Sequence, residues 1–151
     1  MPRTGLRGAL LLVCLAVALA GCSSGATGQT ATAKFRDAAN KVCATYLSEA
    51  AALPRPAKSA DLNAYLASLT GVLSQELGAL KQIDPPPSVG KGYVQMTVDL
   101  STVIADLNAA AAAGEGHTAK AGTLVSTANT AQADLERLAG ELDLASCKAG
   151  F

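Results

Sequence analysis

The chain has 151 residues, of which half are hydrophobic and 16% charged, and its Lys and Arg balance its Asp and Glu. Balanced charge does not favour binding to nucleic acid or to an anionic membrane surface. Two Phe, three Tyr and no Trp, together with abundant alanine, favour closely packed helices over β-sheet.

The N-terminus has the layout of a secretory signal peptide. Residues 1–7 carry Arg3 and Arg7 and no acid, and residues 8–20 form an uncharged, mostly apolar run that ends in small residues. This run is short for a permanent membrane span, which needs about 20 apolar residues. We therefore expect residues 1–21 to be cleaved on export, which leaves enough chain for one domain with a net charge of −2.

Leu19-Ala20-Gly21-Cys22 looks like the lipobox of bacterial lipoproteins. In that family the cysteine sulfur is alkylated with diacylglycerol, and the new amino terminus can then be acylated as well. Two acyl chains, at about 0.8 kcal/mol per buried CH₂, hold a protein stably to a bilayer. The resemblance implies a lipid anchor at Cys22 on the extracytoplasmic face of the cell membrane. The alternative is an ordinary secretory signal in which Cys22 has no role.

Residues 22–33 are predicted to be the lipidated cysteine and a flexible linker. The sequence SSGATGQTATA after Cys22 is small and polar and has no apolar periodicity. As a coil it would span roughly 18 Å. We expect the folded domain, residues 34–151, to stand slightly off the membrane.

The four cysteines divide into two groups. Cys14 leaves with the signal and Cys22 takes the lipid, so Cys43 and Cys147 remain as one pair. In an exported protein such a pair predicts a disulfide. The alternative is a pair of reduced thiols that bind a metal or act in redox chemistry. Because no CxxC spacing occurs and the chain has a single histidine, the sequence favours the disulfide.

Four amphipathic segments follow in chain order, each with apolar residues at steps of three and four. The first begins at Phe35, has Cys43 on its inner face and ends at Pro54-Arg55-Pro56. The second has Ser59 as N-cap and runs to about Ile83, before three prolines make a stiff turn. Its predicted inner stripe is Leu62, Leu66, Leu69, Leu73, Leu77 and Leu80.

The third segment has its apolar stripe at Tyr93, Met96, Leu100, Val103, Leu107 and Ala110. It closes at Gly114, and the fourth segment runs from about Thr118 with a heptad-like seam up to Leu142. Short connections between four such helices predict an all-α fold, an antiparallel up-down-up-down four-helix bundle. The start of the first helix then lies beside the end of the fourth, so the bundle would be disulfide-stapled through Cys43 and Cys147.

No pattern in the sequence predicts catalysis. His117 lies in a glycine-rich turn and is interpreted as a solvated loop residue instead of a catalytic base. Met96 is expected to pack in the core and not to bind haem. Gly90-Lys91-Gly92, placed before the third helix, is too short a motif for phosphate binding. The acids of the fourth segment are typical of a solvated face, namely Asp134, Glu136, Glu141 and Asp143. The tyrosines are expected in the core or at its rim with a wet hydroxyl, namely Tyr46, Tyr65 and Tyr93. We expect no enzyme, no cofactor and no metal.

Together with the lipobox, the segments AANKVCATYL, DPPPSV and LDLASC resemble small actinobacterial lipoproteins of uncharacterised function. The resemblance implies an envelope location and a cysteine-paired helical domain, but no activity. Two functions stay open: a non-enzymatic interaction module that binds an envelope protein or cell-wall component, and a carrier of an apolar small molecule between the helices. An enzyme would need a deep cleft that gathers polar residues from several helices.

Overall fold

The computed structural model describes residues 23–113 and 118–148. Four α-helices span Ser23–Ala51 (α1), Leu62–Leu80 (α2), Pro87–Ala113 (α3) and Thr118–Glu141 (α4), and 3₁₀ helices at Ser59–Asp61 and Ala145–Lys148 precede α2 and follow α4. The helices form the predicted antiparallel up-down-up-down bundle, without a strand in the described ranges. The predicted signal peptide, Cys22 and His117 lie outside the described residues.

The core is almost entirely aliphatic and is centred on α3. This helix packs most extensively against α4 and next against α2, while α1 packs against α2 and the C-terminal 3₁₀ helix. Met96 is 1% exposed, so the prediction that it packs in the core is confirmed. Phe35 of α1 meets Tyr93 of α3 edge to face with ring centroids 4.9 Å apart, a favourable aromatic geometry. These contacts join α1 to the centre of the bundle.

Tyr93 also forms a hydrogen bond with the backbone at the C-terminal end of α2. Its hydroxyl donates a 2.8 Å hydrogen bond to the carbonyl oxygen of Leu80, the last residue of α2. The same carbonyl accepts a 2.9 Å hydrogen bond from the amide of Ile83, so the Tyr93 hydroxyl is its second donor inside the core. Burial raises the pKa of Tyr93 to about 12 because the phenolate would lose its water. The hydroxyl predicted to be wet is therefore buried, whereas Tyr46 and Tyr65 are half-buried.

The proline turn starts α3 earlier than the sequence predicted. Pro87 is its first residue, where the missing N–H has no intrahelical acceptor to lose. The amide of Gly90 donates to the carbonyl oxygen of Pro86 at 3.1 Å. The Gly90-Lys91-Gly92 motif thus lies within α3 and not before it.

A Cβ at Gly92 would lie 3.3 Å from Cδ2 of Leu142, so this glycine allows close packing of the chain after α4.

Residues 23–33 are helical, and the predicted flexible coil is wrong in this respect. Missing apolar periodicity shows only that a segment does not bury one face, and alanine and glutamine have high helix propensity. Nucleation is the unfavourable step of helix formation, and the packed part of α1 from Phe35 onward provides a helix that is already formed. Residues 23–33 extend this helix. Residues 28–31 are exposed. We call residues 23–33 the helical stalk, and its length is about 16 Å at 1.5 Å per residue.

The inner face of α2 differs from the predicted leucine stripe. Leu62 is 40% exposed and Leu77 is half-buried, whereas Glu76 is only 5% exposed. Residues three and four positions apart share one side of a helix, so the leucine spacing allowed either residue 76 or residue 77 to face inward. Packing against the other helices selects Glu76. A carboxyl group therefore lies in the core between Leu73 and Leu80.

Leu73→Ala is expected to lower the free energy of unfolding by about 2–5 kcal/mol, because the side chain is fully buried and its loss leaves a cavity. Leu62→Ala on the same helix is the matched control and should cost roughly 0.5 kcal/mol. Urea unfolding of both variants measures the difference. Equal losses would mean that Leu73 is not a core residue.

Candidate functional site

The chain reverses direction after α4 through a Schellman turn. The amide of Leu144 donates to the carbonyl oxygen of Ala139 at 2.8 Å, and the amide of Asp143 donates to that of Gly140 at 3.2 Å. Asp143 has the left-handed φ of 58° that this turn requires. The turn buries Leu144 completely and directs residues 145–148 onto α1.

One face of α1 receives this segment. The amide of Ser146 donates to Oδ1 of Asn40 at 2.9 Å, and Cys43, three residues further along α1, forms a disulfide with Cys147. Their Cα atoms are 5.1 Å apart, and 104 residues separate them in the sequence. The predicted disulfide is confirmed. We call the contacts of residues 142–147 with α1 the clamp.

Arg36 adds the third contact of the clamp, one turn before Asn40. Its Nε donates to the carbonyl oxygen of Leu142 at 3.0 Å, and its Nη2 lies 2.7 Å from Oδ2 of Asp143. The guanidinium thus satisfies a carbonyl at the end of α4, where a cation also suits the helix dipole. Asp143 is therefore stabilised by an ion pair in a backbone conformation that suits glycine better.

Asp143→Ala is expected to lower the free energy of unfolding by about 1 kcal/mol, because the ion pair is lost while the left-handed backbone remains strained. Asp143→Gly should stay within roughly 0.5 kcal/mol of the wild type, since relief of the strain offsets the lost ion pair. Thermal unfolding of the two variants measures the difference. A glycine variant as unstable as the alanine variant would show that the ion pair with Arg36 outweighs the strain.

A small pocket lies behind the clamp in the centre of the bundle. Its polar lining consists of Glu76 on α2, Ser146 and the Cys43–Cys147 disulfide. Its apolar lining consists of Leu47, Leu80, Met96, Leu100 and Leu135. The pocket measures about 10 Å³, which is roughly the space that one water molecule needs. It brings one acid from α2 to a disulfide that joins α1 to the C-terminal segment.

Glu76 is the buried titratable group of this pocket that the sequence reading missed. Its Oε2 has no hydrogen-bond partner among the described residues. Burial raises the pKa of Glu76 to about 7, because the carboxylate loses its water. The signal that could have revealed it is its spacing, three residues after Leu73 and four before Leu80. Such a carboxyl can hold or release a proton near neutral pH.

The acids predicted for the fourth helix are on the surface and bind neighbouring polar groups. Arg137 Nη1 lies 2.7 Å from Oε1 of Glu141, and its Nη2 lies 3.7 Å from Oδ1 of Asp134. Glu136 accepts a 3.2 Å hydrogen bond from Gln132. Asp134 and Glu141 therefore share Arg137, whereas Asp143 pairs with Arg36, and the four carboxylates do not form one acid site. No group of three His, Cys, Asp or Glu residues suited to a metal ion occurs in the described part of the chain.

No family model, no curated protein and no solved structure matches this chain. Among the described helices, none is long and apolar enough to cross a membrane.

The space available limits what the pocket can bind. Pockets for small organic ligands measure roughly 300–1,000 Å³, far more than the space at Glu76. A surface groove of about 270 Å³ lies where α1 meets α2, lined by the Pro54-Arg55-Pro56 turn, Tyr65 and Ser68 among others. The groove is open to solvent and partly polar. The central pocket suits a proton or a water molecule, and it does not offer space for a carried apolar molecule.

Proposed function

We propose that this protein is a lipid-anchored, extracytoplasmic binding module of the cell envelope, held to the membrane through Cys22 and without enzymatic activity. The observation that carries the proposal is the disulfide between Cys43 and Cys147. Stable structural disulfides form in oxidising compartments such as the cell exterior. The bond also accounts for the two cysteines of the helical domain, which leaves Cys22 for the lipid.

The helical stalk supports the anchor at Cys22. The described part of α1 runs from Ser23 into the core at Phe35, so a lipid on Cys22 would be joined to the bundle through this helix. A helix holds its length better than a coil, so the bundle would stand about 16 Å from its attachment point. The stalk would then present the module to its partners at a set distance from the membrane.

The surface of the bundle supports binding to a protein or cell-wall component. Val94 and Val98 on α3 are 58% and 50% exposed and lie one turn apart on the same face. Exposed aliphatic pairs contribute apolar area to protein contacts. The central pocket at Glu76 has space for about one water molecule, so recognition would take place at the outer faces of the helices.

Cys22→Ala is expected to abolish lipid attachment, because the acyl chains are bonded to this residue. Expression in a bacterium that processes lipoproteins, with labelled palmitate, should label the wild type and not the variant. The variant should move from the membrane fraction to the soluble extracytoplasmic fraction. Cys14→Ala is the matched control and should leave labelling unchanged. Full labelling of the Cys22 variant would disprove the anchor.

Binding is tested by placing a photocrosslinking amino acid at Val98 on α3 and, separately, at Thr45 on the exposed side of α1. The module should give a discrete crosslinked product in intact cells from the face that binds, and none from a face that does not bind. Absence of a product from every exposed helix face would count against a binding module.

A further inference from the structure

The pocket at Glu76 is lined by this acidic residue and by both cysteines of the disulfide. Glu76 of α2, Cys43 of α1 and Cys147 of the C-terminal 3₁₀ helix line the same space of about 10 Å³. Glu76 is 5% exposed, and its Oε2 has no partner in the part of the chain that the structure describes. We propose that Glu76 is the proton acceptor for closure of the Cys43–Cys147 disulfide, which makes this pocket a thiol-oxidation site.

Closure of the disulfide needs a base at this position. Before oxidation both cysteines are thiols, and only a thiolate attacks a disulfide. Apolar surroundings raise the pKa of a buried thiol, so thiolate formation is unfavourable inside the bundle. A carboxylate in the same pocket can take the proton as the sulfur attacks.

The surrounding helices supply no competing charged group to the pocket. Apart from the cysteines, α1 contributes Leu47, α4 contributes Leu135, and the C-terminal segment contributes the neutral Ser146. The lining residues from α3 are Met96 and Leu100, which do not titrate. Within the described lining, Glu76 is therefore the one group other than a thiol that can accept a proton.

The two cysteines differ in how easily an external oxidant reaches them. Cys43 is 2% exposed and lies within the 29-residue helix α1, whereas Cys147 is 7% exposed and lies in a four-residue 3₁₀ helix. Short segments open locally at lower free energy than long packed helices. Cys147 is therefore the cysteine that meets the oxidant, and Cys43 is the cysteine that completes the bond.

The reaction is a pair of thiol–disulfide exchanges with an external disulfide oxidant. Cys147 first attacks one sulfur of the oxidant, which forms a mixed disulfide and releases the first oxidant thiol. The thiol of Cys43 then gives its proton to the Glu76 carboxylate and attacks the sulfur of Cys147. The mixed disulfide breaks, the second oxidant thiolate leaves, and Glu76 passes the proton to that thiolate or to water. Two protein thiols and one oxidant disulfide become one protein disulfide and two oxidant thiols.

The free-energy cost of burying the Glu76 carboxyl group favours a chemical role for this residue. A buried carboxyl oxygen without a partner destabilises a fold, and an apolar side chain of similar volume would pack better among these leucines. Groups that break the packing rules in this way concentrate at sites of chemistry. Proton transfer during disulfide closure gives this residue such a role, and this role does not depend on the lipid at Cys22.

The test follows oxidation of the reduced full-length mature protein by oxidised glutathione. Quenching by alkylation and mass spectrometry separates the free, mixed-disulfide and closed forms. At about pH 7, Glu76→Gln should form the mixed disulfide at the wild-type rate. It should close the mixed disulfide at least about tenfold more slowly, which is a smaller effect than the 10²–10⁴-fold that is typical of general base catalysis. The wild-type closure rate should rise between about pH 5 and pH 7. That of the variant should rise only above the usual thiol pKa of about 8.5, because burial raises the pKa of the thiol.

Glu49→Gln, at an exposed glutamate of α1, is the matched control and should behave as the wild type. In concentrated urea, where Glu76 is no longer held beside the cysteines, all three proteins should close at one rate. A Glu76→Gln variant with the wild-type closure rate and pH profile under native conditions would overturn the proposal, as would an equal slowing in urea. If the reduced variant is unfolded, opening of the folded, oxidised form by dithiothreitol at about pH 6 replaces the closure test. An unchanged opening rate would then overturn the proposal, because the same carboxyl donates the proton to the leaving Cys43 sulfur.

Discussion

Glu76→Gln is expected to abolish a loss of stability that the wild-type protein shows as the pH rises from about 4.5 to about 7. Burial raises the pKa of Glu76 to about 7, above its ordinary value of 4.5 in the unfolded chain. The folded protein therefore binds more protons than the unfolded chain within this window, and its stability falls as the pH rises. Below the window both states are protonated, and above it the loss is complete at about 3 kcal/mol.

Thermal unfolding at about pH 5 and about pH 8 measures this effect. A loss of about 3 kcal/mol corresponds to a lower melting temperature by roughly 10 °C for a domain of this size. Glu76→Gln should reduce the difference in stability between the two pH values to near zero. Glu76→Leu should in addition be more stable than the wild type at the higher pH. Glu49→Gln is the control, because Glu49 is exposed on α1. A Glu76→Gln variant that keeps the full pH dependence would show that another group causes it.

Removal of the disulfide should cause the largest loss of stability in this protein. Cys43→Ala opens a bond that joins residues 104 apart in the sequence. In the chain-entropy model, a loop of about 100 residues contributes roughly 4–5 kcal/mol by restricting the unfolded chain. This is a large fraction of the 5–15 kcal/mol that stabilises an ordinary domain. The C-terminal segment would then be held by the polar contacts of Arg36 and Asn40 and by the packing of Leu144 in the core.

Urea unfolding of Cys43→Ala, Cys147→Ala and the double variant distinguishes the contribution of the disulfide to the free energy of unfolding from the contributions of the two side chains. If the disulfide dominates, the double variant should lose little more than either single variant, because each single change already breaks the bond. Addition of a reductant should destabilise the wild type by a similar amount and leave the double variant unchanged. A double variant as stable as the oxidised wild type would disprove a stabilising role for the disulfide.

The helices and the disulfide could be predicted from the sequence because their signals are local or compositional. Leucine and alanine at steps of three and four define the amphipathic faces of α2 and α4, and the Pro85-Pro86-Pro87 turn separates α2 from α3. The pairing of Cys43 with Cys147 was predicted by counting the cysteines that remain after Cys14 of the predicted signal peptide and the predicted lipidation residue Cys22 are set aside. Each of these inferences required only the geometry of one helix or the chemistry of one residue type.

The residues of the candidate site could not be predicted from the same signals. Glu76 and Leu77 are adjacent and fit the leucine spacing of α2 equally well, and only the packing of α1 and α3 against α2 turns Glu76 inward. The helical stalk was likewise predicted as coil, because periodicity reports burial and a solvated helix buries no face.

The sequence by itself determined four amphipathic helices, their order and one cysteine pair, because short-range periodicity and residue chemistry specify these features. Tertiary structure alone decided that Asp143 takes a left-handed conformation beside Arg36 and that Glu76 shares a pocket with the disulfide. The physical reason is that burial and pairing depend on atoms brought together from distant positions in the chain. Arg36 and Asp143 are separated by almost the whole domain in sequence, yet their side chains lie 2.7 Å apart.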